Sequence, residues 1–253
     1  MKARFKDHFS GHAPLYSRYR PTYPEALFDF LAQAAPARSL AWDCATGGGQ
    51  AAAALAGAFE RVVATDASPQ QLAQANPNPH VEYRVAPAES SGLEGESVDL
   101  ITVAQALHWF DLNGFYAEAR RVLKPHGLLV VWCYNHCTIA PELDARIRHF
   151  YAETVGPYWP AERRMIEQGY RSLPFPFDEV DAPEFVMSHD WRLDDLAGYL
   201  GTWSAVHEFI AARREDPVPA LMSTLAAQWG DVERRQVTWV LDLRVGRRGP
   251  VGT

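Results

Sequence analysis

The segment Trp42-Asp43-Cys44-Ala45-Thr46-Gly47-Gly48-Gly49, followed by an apolar run ending in Asp66, limits what this chain can fold into. An acidic residue closes one apolar strand, a glycine turn opens a helix, and a second acidic residue closes the next strand. Glycine has no Cβ, so such a turn lets backbone approach a ligand closely. A carboxylate at the end of the second strand can accept hydrogen bonds from two ribose hydroxyls at once. The unit predicts a nucleoside-bearing cofactor lying across the carboxyl ends of a parallel sheet.

The surrounding pattern agrees. Strands are predicted at Ser39–Asp43, Arg61–Asp66, Val81–Val85, Val98–Val103 and Leu128–Cys133, with helical segments between them. Ser68-Pro69-Gln70-Gln71 is a helix start, with a serine cap, proline in the first turn and glutamine three residues after the cap. Leu112, Phe115, Tyr116, Ala119, Val122 and Leu123 repeat at helical spacing, with Asp111 placed to cap. Lys124-Pro125-His126-Gly127 stops that helix. Strand–helix alternation implies right-handed crossovers and a parallel sheet. Beyond Asn135, helices are predicted over Glu142–Thr154, Leu193–Ala212 and Pro219–Trp229, and strands over Glu184–Trp191 and Gln236–Val245.

Composition narrows the function. The chain has 253 residues and a net charge of −7, which argues against nucleic acid as a partner. The basic run Arg244-Val245-Gly246-Arg247-Arg248 reads as a solvated end. No stretch approaches the apolar length of a membrane span. The residues after Met1 lack the apolar core of a signal peptide. Three cysteines, an odd number, imply a reducing cytoplasm and no disulfide framework. Cys133, His136 and Cys137 lie close together, but the spacing is not Cys-x-x-Cys and no second ligand pair follows, so no metal site is expected.

The glycine turn alone leaves the cofactor open. Gly47-x-Gly49-x-x-Ala52 satisfies the dinucleotide fingerprint with alanine last, and Asp66 follows at the spacing that fingerprint expects. Against a nicotinamide cofactor, Asp43 precedes the turn, where a pyrophosphate would meet negative charge.

Six motifs occur in register: Tyr19-Arg20-Pro21-x-Tyr23-Pro24; Asp43-x-Ala45-x-Gly47-x-Gly49; Asp66-Ala67-Ser68; Ala88-Glu89; Val98-Asp99-Leu100 with Ala106-Leu107-His108-Trp109-Phe110; and Leu123-Lys124-Pro125-x-Gly127. Over most of residues 16–135 the chain resembles class I S-adenosylmethionine-dependent methyltransferases of the small-molecule type, which include trans-aconitate methyltransferase. The expected fold is a Rossmann-like, mostly parallel seven-stranded sheet with helices on both faces, strand order 3-2-1-4-5-7-6 and the last strand antiparallel. Residues 1–36 would form an arm and helix over the cofactor, 37–135 the cofactor-binding core, and 136–253 a helical cap plus the final two strands.

The resemblance implies roles residue by residue. Asp43 would face the amino group of the methionine moiety, and Ala45, Gly47 and Gly49 would let backbone reach the cofactor. Asp66 would bind the ribose hydroxyls, Ala67 and Leu72 would flank the adenine, and Ala88 and Glu89 would meet its edge. Ala104 and Gln105 would floor the sulfonium. In this family the N-terminal arm folds over the cofactor, which places Tyr16, Tyr19 and Arg20 in a lid, Arg20 pairing the methionine carboxylate. The family more often has glycine at the position of Ala45.

Methyl transfer from a sulfonium is an in-line displacement that needs alignment and exclusion of water, with a base only where the nucleophile carries a proton. His108 is the candidate base or orienting residue. Tyr16, His108, Trp109, Trp132, Tyr134 and Trp203 are candidates for the acceptor pocket, with Trp159 and Tyr170 beside them. Two other functions stay open: a nicotinamide oxidoreductase, and an inactive cofactor-binding regulator.

Overall fold

In the computed structural model residues 19–249 are described. Helix α1 (Glu25–Ala34) follows Pro24 and buries Leu27, Phe28, Leu31 and Ala32. The core then alternates: β1 (Leu40–Cys44), α2 (Gln50–Leu55), β2 (Arg61–Asp66), α3 (Pro69–Leu72), β3 (Val81–Val85), β4 (Val98–Ala104), α4 (Leu112–Val122) and β5 (Leu123–Tyr134). Ser68 caps α3, its hydroxyl accepting from the Gln71 N–H at 3.3 Å. Asp111 occupies the N-cap position of α4 but makes no side-chain cap bond. The Glu89 carboxylate takes that role, accepting from the Asp111 N–H at 3.1 Å, where a helix N-terminus favours negative charge.

After β5 come α5 (Pro141–His149), continued by a π turn over Phe150–Thr154, then α6 (Arg163–Glu167), β6 (Asp178–Val180), β7 (Phe185–Trp191), α7 (Leu193–Gly201), α8 (Ser204–Arg213), α9 (Val218–Trp229) and β8 (Arg235–Arg247). The helix expected over Leu193–Ala212 is two helices. The Thr202 hydroxyl bonds the Tyr199 carbonyl at 2.6 Å at the break, and Trp203 starts the second helix.

The sheet runs β3-β2-β1-β4-β5-β8-β6, with β7 also paired to β8. The first five strands are parallel and β8 is antiparallel to β5. This is the expected order, with the expected sixth strand split in two. β7 pairs with the first half of β8 and β6 with its end. Asp181-Ala182-Pro183-Glu184 separates them, and proline cannot donate to a ladder. The split makes eight strands of the expected seven.

The central parallel strands β1, β2, β4 and β5 are buried on both faces, which is why they read as apolar runs, whereas β3 at the sheet edge is partly exposed. Ala41, Val62, Leu100, Val130 and Trp132 pack beneath α1 and α2 and toward the cap helices. Trp42, Val63, Ile101, Val131 and Phe115 form the core on the other face. The basic run at 244–248 is not a solvated end. Arg244 donates to the Tyr170 and Leu173 carbonyls at 2.9 Å each and pairs with Glu179 at 2.6 Å. Arg248 pairs with Glu96 at 2.8 Å. The run closes β8, and Arg244 and Arg248 tie it to β6 and to neighbouring loops.

Asp99 pins the edge opposite the strand carboxyl ends. Its fully buried carboxylate accepts from the Ser39 and Leu40 N–H groups, each at 3.0 Å, and from Lys124 Nζ at 2.7 Å. One side chain so joins the starts of β1, β4 and β5. Asp99→Ala leaves two backbone donors and an ammonium without their acceptor. We expect destabilisation of about 3 kcal/mol, lowering the midpoint of thermal unfolding by roughly 6–12 °C. Calorimetry checks this; a shift below about 2 °C would show that the anchor carries little.

Candidate functional site

The glycine turn sits where β1 gives way to α2. Ala45, Gly47 and Gly49 all adopt positive φ, at 56°, 57° and 80°. Glycine takes that conformation without penalty, whereas alanine is strained there by about 1 kcal/mol. At Gly49 a Cβ would also come within 2.6 Å of the Tyr83 hydroxyl. Both strand-end carboxylates hold this turn. Asp43 accepts from the Thr46 hydroxyl at 2.5 Å and the Thr102 hydroxyl at 2.7 Å. Thr102 is its register partner on β4. Asp66 accepts from the Gly47 N–H at 2.9 Å and the Ser68 N–H at 2.8 Å. Burial pushes the Asp43 carboxyl up to about 6, against the pull of the two threonine hydroxyls. Among the described residues it makes no ion pair.

The other expected cofactor residues fall around this turn or on its neighbours. Ala67 is half-buried just after β2 and Leu72 half-buried at the end of α3, and Ala88 is buried after β3. Glu89 carries the α4 cap described above. Ala104 ends β4, and Gln105 follows it at a φ of 56°. The Gln105 side chain donates to the Tyr134 carbonyl at 3.2 Å. Arg20 donates to the Tyr134 hydroxyl at 3.1 Å and stands over the Tyr199 ring at 5.6 Å. The Tyr19 ring rests on Gly198 of α7, where any Cβ would overlap it. Tyr16 lies outside the described residues.

Beside the turn is a recess between the ends of β4 and β5 and the cap helices. His108, Trp109, Tyr134 and Trp203 line it, as do Arg20, Gln105 and Trp159. Trp132 does not. It is fully buried two residues deeper on β5, against the edge of Tyr23 at 5.3 Å. Several lining residues carried no signal in the sequence, among them Asn135, Arg163 and Tyr199. Arg163 of α6 donates to the Tyr151 hydroxyl at 2.8 Å and to Asn135 Oδ1 at 2.5 Å. Its guanidinium stacks on Trp159 at 4.8 Å, a planar contact an ammonium would not match. Two guanidinium groups and no carboxylate line the recess among the described residues.

His108 sits in the 3-10 turn Leu107–Trp109, buried, with Nδ1 2.9 Å from the Tyr170 hydroxyl. Burial, with the nearby charge of Arg163, pushes its pKa down to about 3. Among the described residues no group of three histidine, cysteine or acidic side chains is placed to hold a metal. No helix of the described residues is long and apolar enough to cross a membrane.

Residues 42–131 match the family described as methyltransferase domain. A Dictyostelium discoideum protein described as a candidate methyltransferase is 36% identical over 226 residues, 88% of this chain and 86% of that one. A structure from Anaeromyxobacter dehalogenans, described as a candidate type II methyltransferase, superposes with a TM-score of 0.87 at 45% identity, covering 92% of this chain and all of that one. A Haemonchus contortus phosphoethanolamine N-methyltransferase, solved with S-adenosylhomocysteine, shares the fold alone, at a TM-score of 0.51 and 15% identity over 98% of this chain and 61% of that one. The strand order, the glycine turn and this likeness over nearly the whole length place the chain among the class I methyltransferases.

The raised Asp43 pKa has a consequence for stability. The folded chain binds a proton at Asp43 more tightly than the unfolded chain, so stability falls as pH rises from 3.8 through about 6. Above that window the ionised form costs about 2–3 kcal/mol. Asp43→Asn removes the charge while keeping hydrogen-bonding capacity. The variant is expected to unfold about 4–10 °C above the wild type near pH 8, with the difference shrinking toward pH 4. An advantage that does not change with pH would refute the assignment.

Proposed function

We propose that the protein transfers a methyl group from S-adenosylmethionine to a small-molecule acceptor by in-line displacement. The observation that carries this reading is the pair Asp43 and Asp66 on either side of the glycine turn, at the same carboxyl edge of the sheet as the aromatic recess at the ends of β4 and β5. Asp43 is a buried carboxylate without a cationic partner among the described residues, and a cofactor amino group would supply one. Asp66 accepts from the Gly47 and Ser68 N–H groups, and a carboxylate oxygen can accept more than one hydrogen bond, which suits two ribose hydroxyls. Gly47 and Gly49 leave the turn without side chains facing the cofactor. Ala67 and Leu72 suit an adenine face, Ala88 and Glu89 its edge, and Arg20 the methionine carboxylate. When bound, the cofactor supplies an activated methyl group on sulfur. A nicotinamide dinucleotide suits the site poorly, because its pyrophosphate would meet the Asp43 charge.

The recess explains what the chain itself contributes. Trp109, Tyr134, Trp159 and Trp203 exclude water from the acceptor and orient it. The guanidinium groups of Arg20 and Arg163 disfavour a cationic acceptor and favour an electron-rich or anionic one. An acceptor already deprotonated needs no general base. The three cysteines are free and buried, which supports a reducing compartment such as the cytoplasm.

Calorimetry with S-adenosylhomocysteine tests the donor half. Saturable binding is expected, and Asp66→Ala should weaken it about 100-fold through loss of two charge-assisted hydrogen bonds. The ammonium of the ligand favours ionised Asp43. Affinity should therefore fall about tenfold per pH unit below the Asp43 pKa, and Asp43→Asn should flatten that dependence. No binding, or equal binding by Asp66→Ala, would sink the reading. A labelled-methyl assay on a metabolite extract tests the acceptor half. Binding without transfer across that extract would favour an inactive regulator.

A further inference from the structure

We propose that His108 is a fixed hydrogen-bond donor, presenting Nε2–H to an oxygen of the methyl acceptor, and that Tyr170 locks this tautomer from the cap. The proposal deepens the methyl-transfer reading above and rests on it. It assigns His108 a role opposite to that of a proton-abstracting base.

The argument starts from Tyr170. It follows α6, its backbone is left-handed with φ 59°, and its side chain is fully buried. Burial pushes the phenol well above its ordinary pKa, so it keeps its proton. A buried hydroxyl proton left without an acceptor is costly. The phenol proton therefore needs an acceptor. Among the described residues the one in reach of the hydroxyl is His108 Nδ1, at 2.9 Å. A neutral imidazole that accepts at Nδ1 carries its proton at Nε2. The ring is fixed further by Trp109 at 4.5 Å and by Tyr170 at 6.0 Å.

The charge environment keeps that proton count. The groups around the imidazole are Arg163 of α6, the Tyr170 hydroxyl, and the Cys133 thiol of β5 beside Tyr170. Burial disfavours imidazolium, Arg163 disfavours it further, and among the described residues no carboxylate faces the ring to draw a second proton. His108 lines the recess with Arg20, Arg163 and the Tyr134 hydroxyl, and its Nε2 has no hydrogen bond to a described residue. Nε2–H so adds a neutral donor to a wall of cationic ones. Such a wall recognises an acceptor oxygen with lone pairs to spare, such as a carboxylate or enolate. Tyr170 acts through His108 and is a positioning residue.

The test uses the full chain, labelled with 15N in histidine and loaded with S-adenosylhomocysteine. Long-range proton–nitrogen correlations read the tautomer directly. Nδ1 is expected in the unprotonated range and Nε2 in the protonated range, unchanged from about pH 5.5 to about pH 8.5. Tyr170→Phe should give a mixture of tautomers while homocysteine-ligand affinity stays within about twofold. Benzoate is the acceptor probe, with benzylamine as the cationic control. Benzoate should shift the Nε2–H proton downfield, and benzylamine should not. His108→Phe should weaken benzoate about tenfold, and His108→Gln, which keeps an N–H at similar reach, should restore most of that loss. A proton on Nδ1, titration of His108 within that pH range, or benzoate binding that leaves Nε2–H unmoved would overturn the proposal. If Tyr170→Phe does not fold, the wild-type tautomer still decides. Failure of the wild type to bind S-adenosylhomocysteine strikes the methyl-donor reading and leaves the tautomer measurement on the unloaded chain intact.

Discussion

Two carboxylates at neighbouring strand ends hold the turn that lies between them. Asp43 does so through the Thr46 and Thr102 hydroxyls, and Asp66 through the Gly47 and Ser68 N–H groups. The turn has three residues in left-handed backbone, one of them alanine, so it would not adopt this shape from local preference alone. The carboxylates supply the compensation, and the parallel register of β1 with β2 and β4 puts them within reach. On the proposed reading the carboxylates that fix the turn also hold the cofactor, so one set of groups would carry both structural and binding roles and the site would be formed before a ligand arrives.

That concentration explains how much of this half was legible. Asp43, the glycines and Asp66 lie within 24 residues of sequence, on elements whose periodicity is strong. Strands buried on both faces have few alternatives, and the strand order was what the resemblance to the methyltransferase family implied. The departures are local. The 244–248 run looked like a tail because its arginines are read as charge, whereas the guanidinium groups of Arg244 and Arg248 reach carbonyls and acids of neighbouring segments. The sixth strand was seen only from Glu184 onward. Asp178–Val180 is three residues long among prolines and aromatics, too short for a period of two to show.

The recess was less legible, for a different reason. Its walls come from segments far apart in the chain, and α6 is little more than one turn long. Nothing in Pro160-Ala161-Glu162-Arg163-Arg164 says which arginine turns inward. That choice is made by Asn135, Tyr151 and Trp159, which only the fold assembles around Arg163. Trp132 and Tyr134 show the limit of pattern reasoning within one strand. They share a face, as residues two apart must, and both read as pocket. Only Tyr134, at the strand end, reaches the recess, while Tyr23 covers Trp132.

The division between the two halves also bears on chemistry. On the methyl-transfer reading proposed above, the donor side is built from the parallel core, whose register leaves little freedom. The acceptor side is built from α6, α7 and the segment around Tyr170, attached through the antiparallel strands. His108 belongs to the core by position, in the turn after β4, yet its proton is placed by a residue of the cap. Altering the cap segment would therefore change which side of the imidazole carries hydrogen without moving the imidazole. In a fold where displacement at a methyl group needs little beyond alignment, that is an economical way for the less constrained half of the molecule to set what the fixed half recognises.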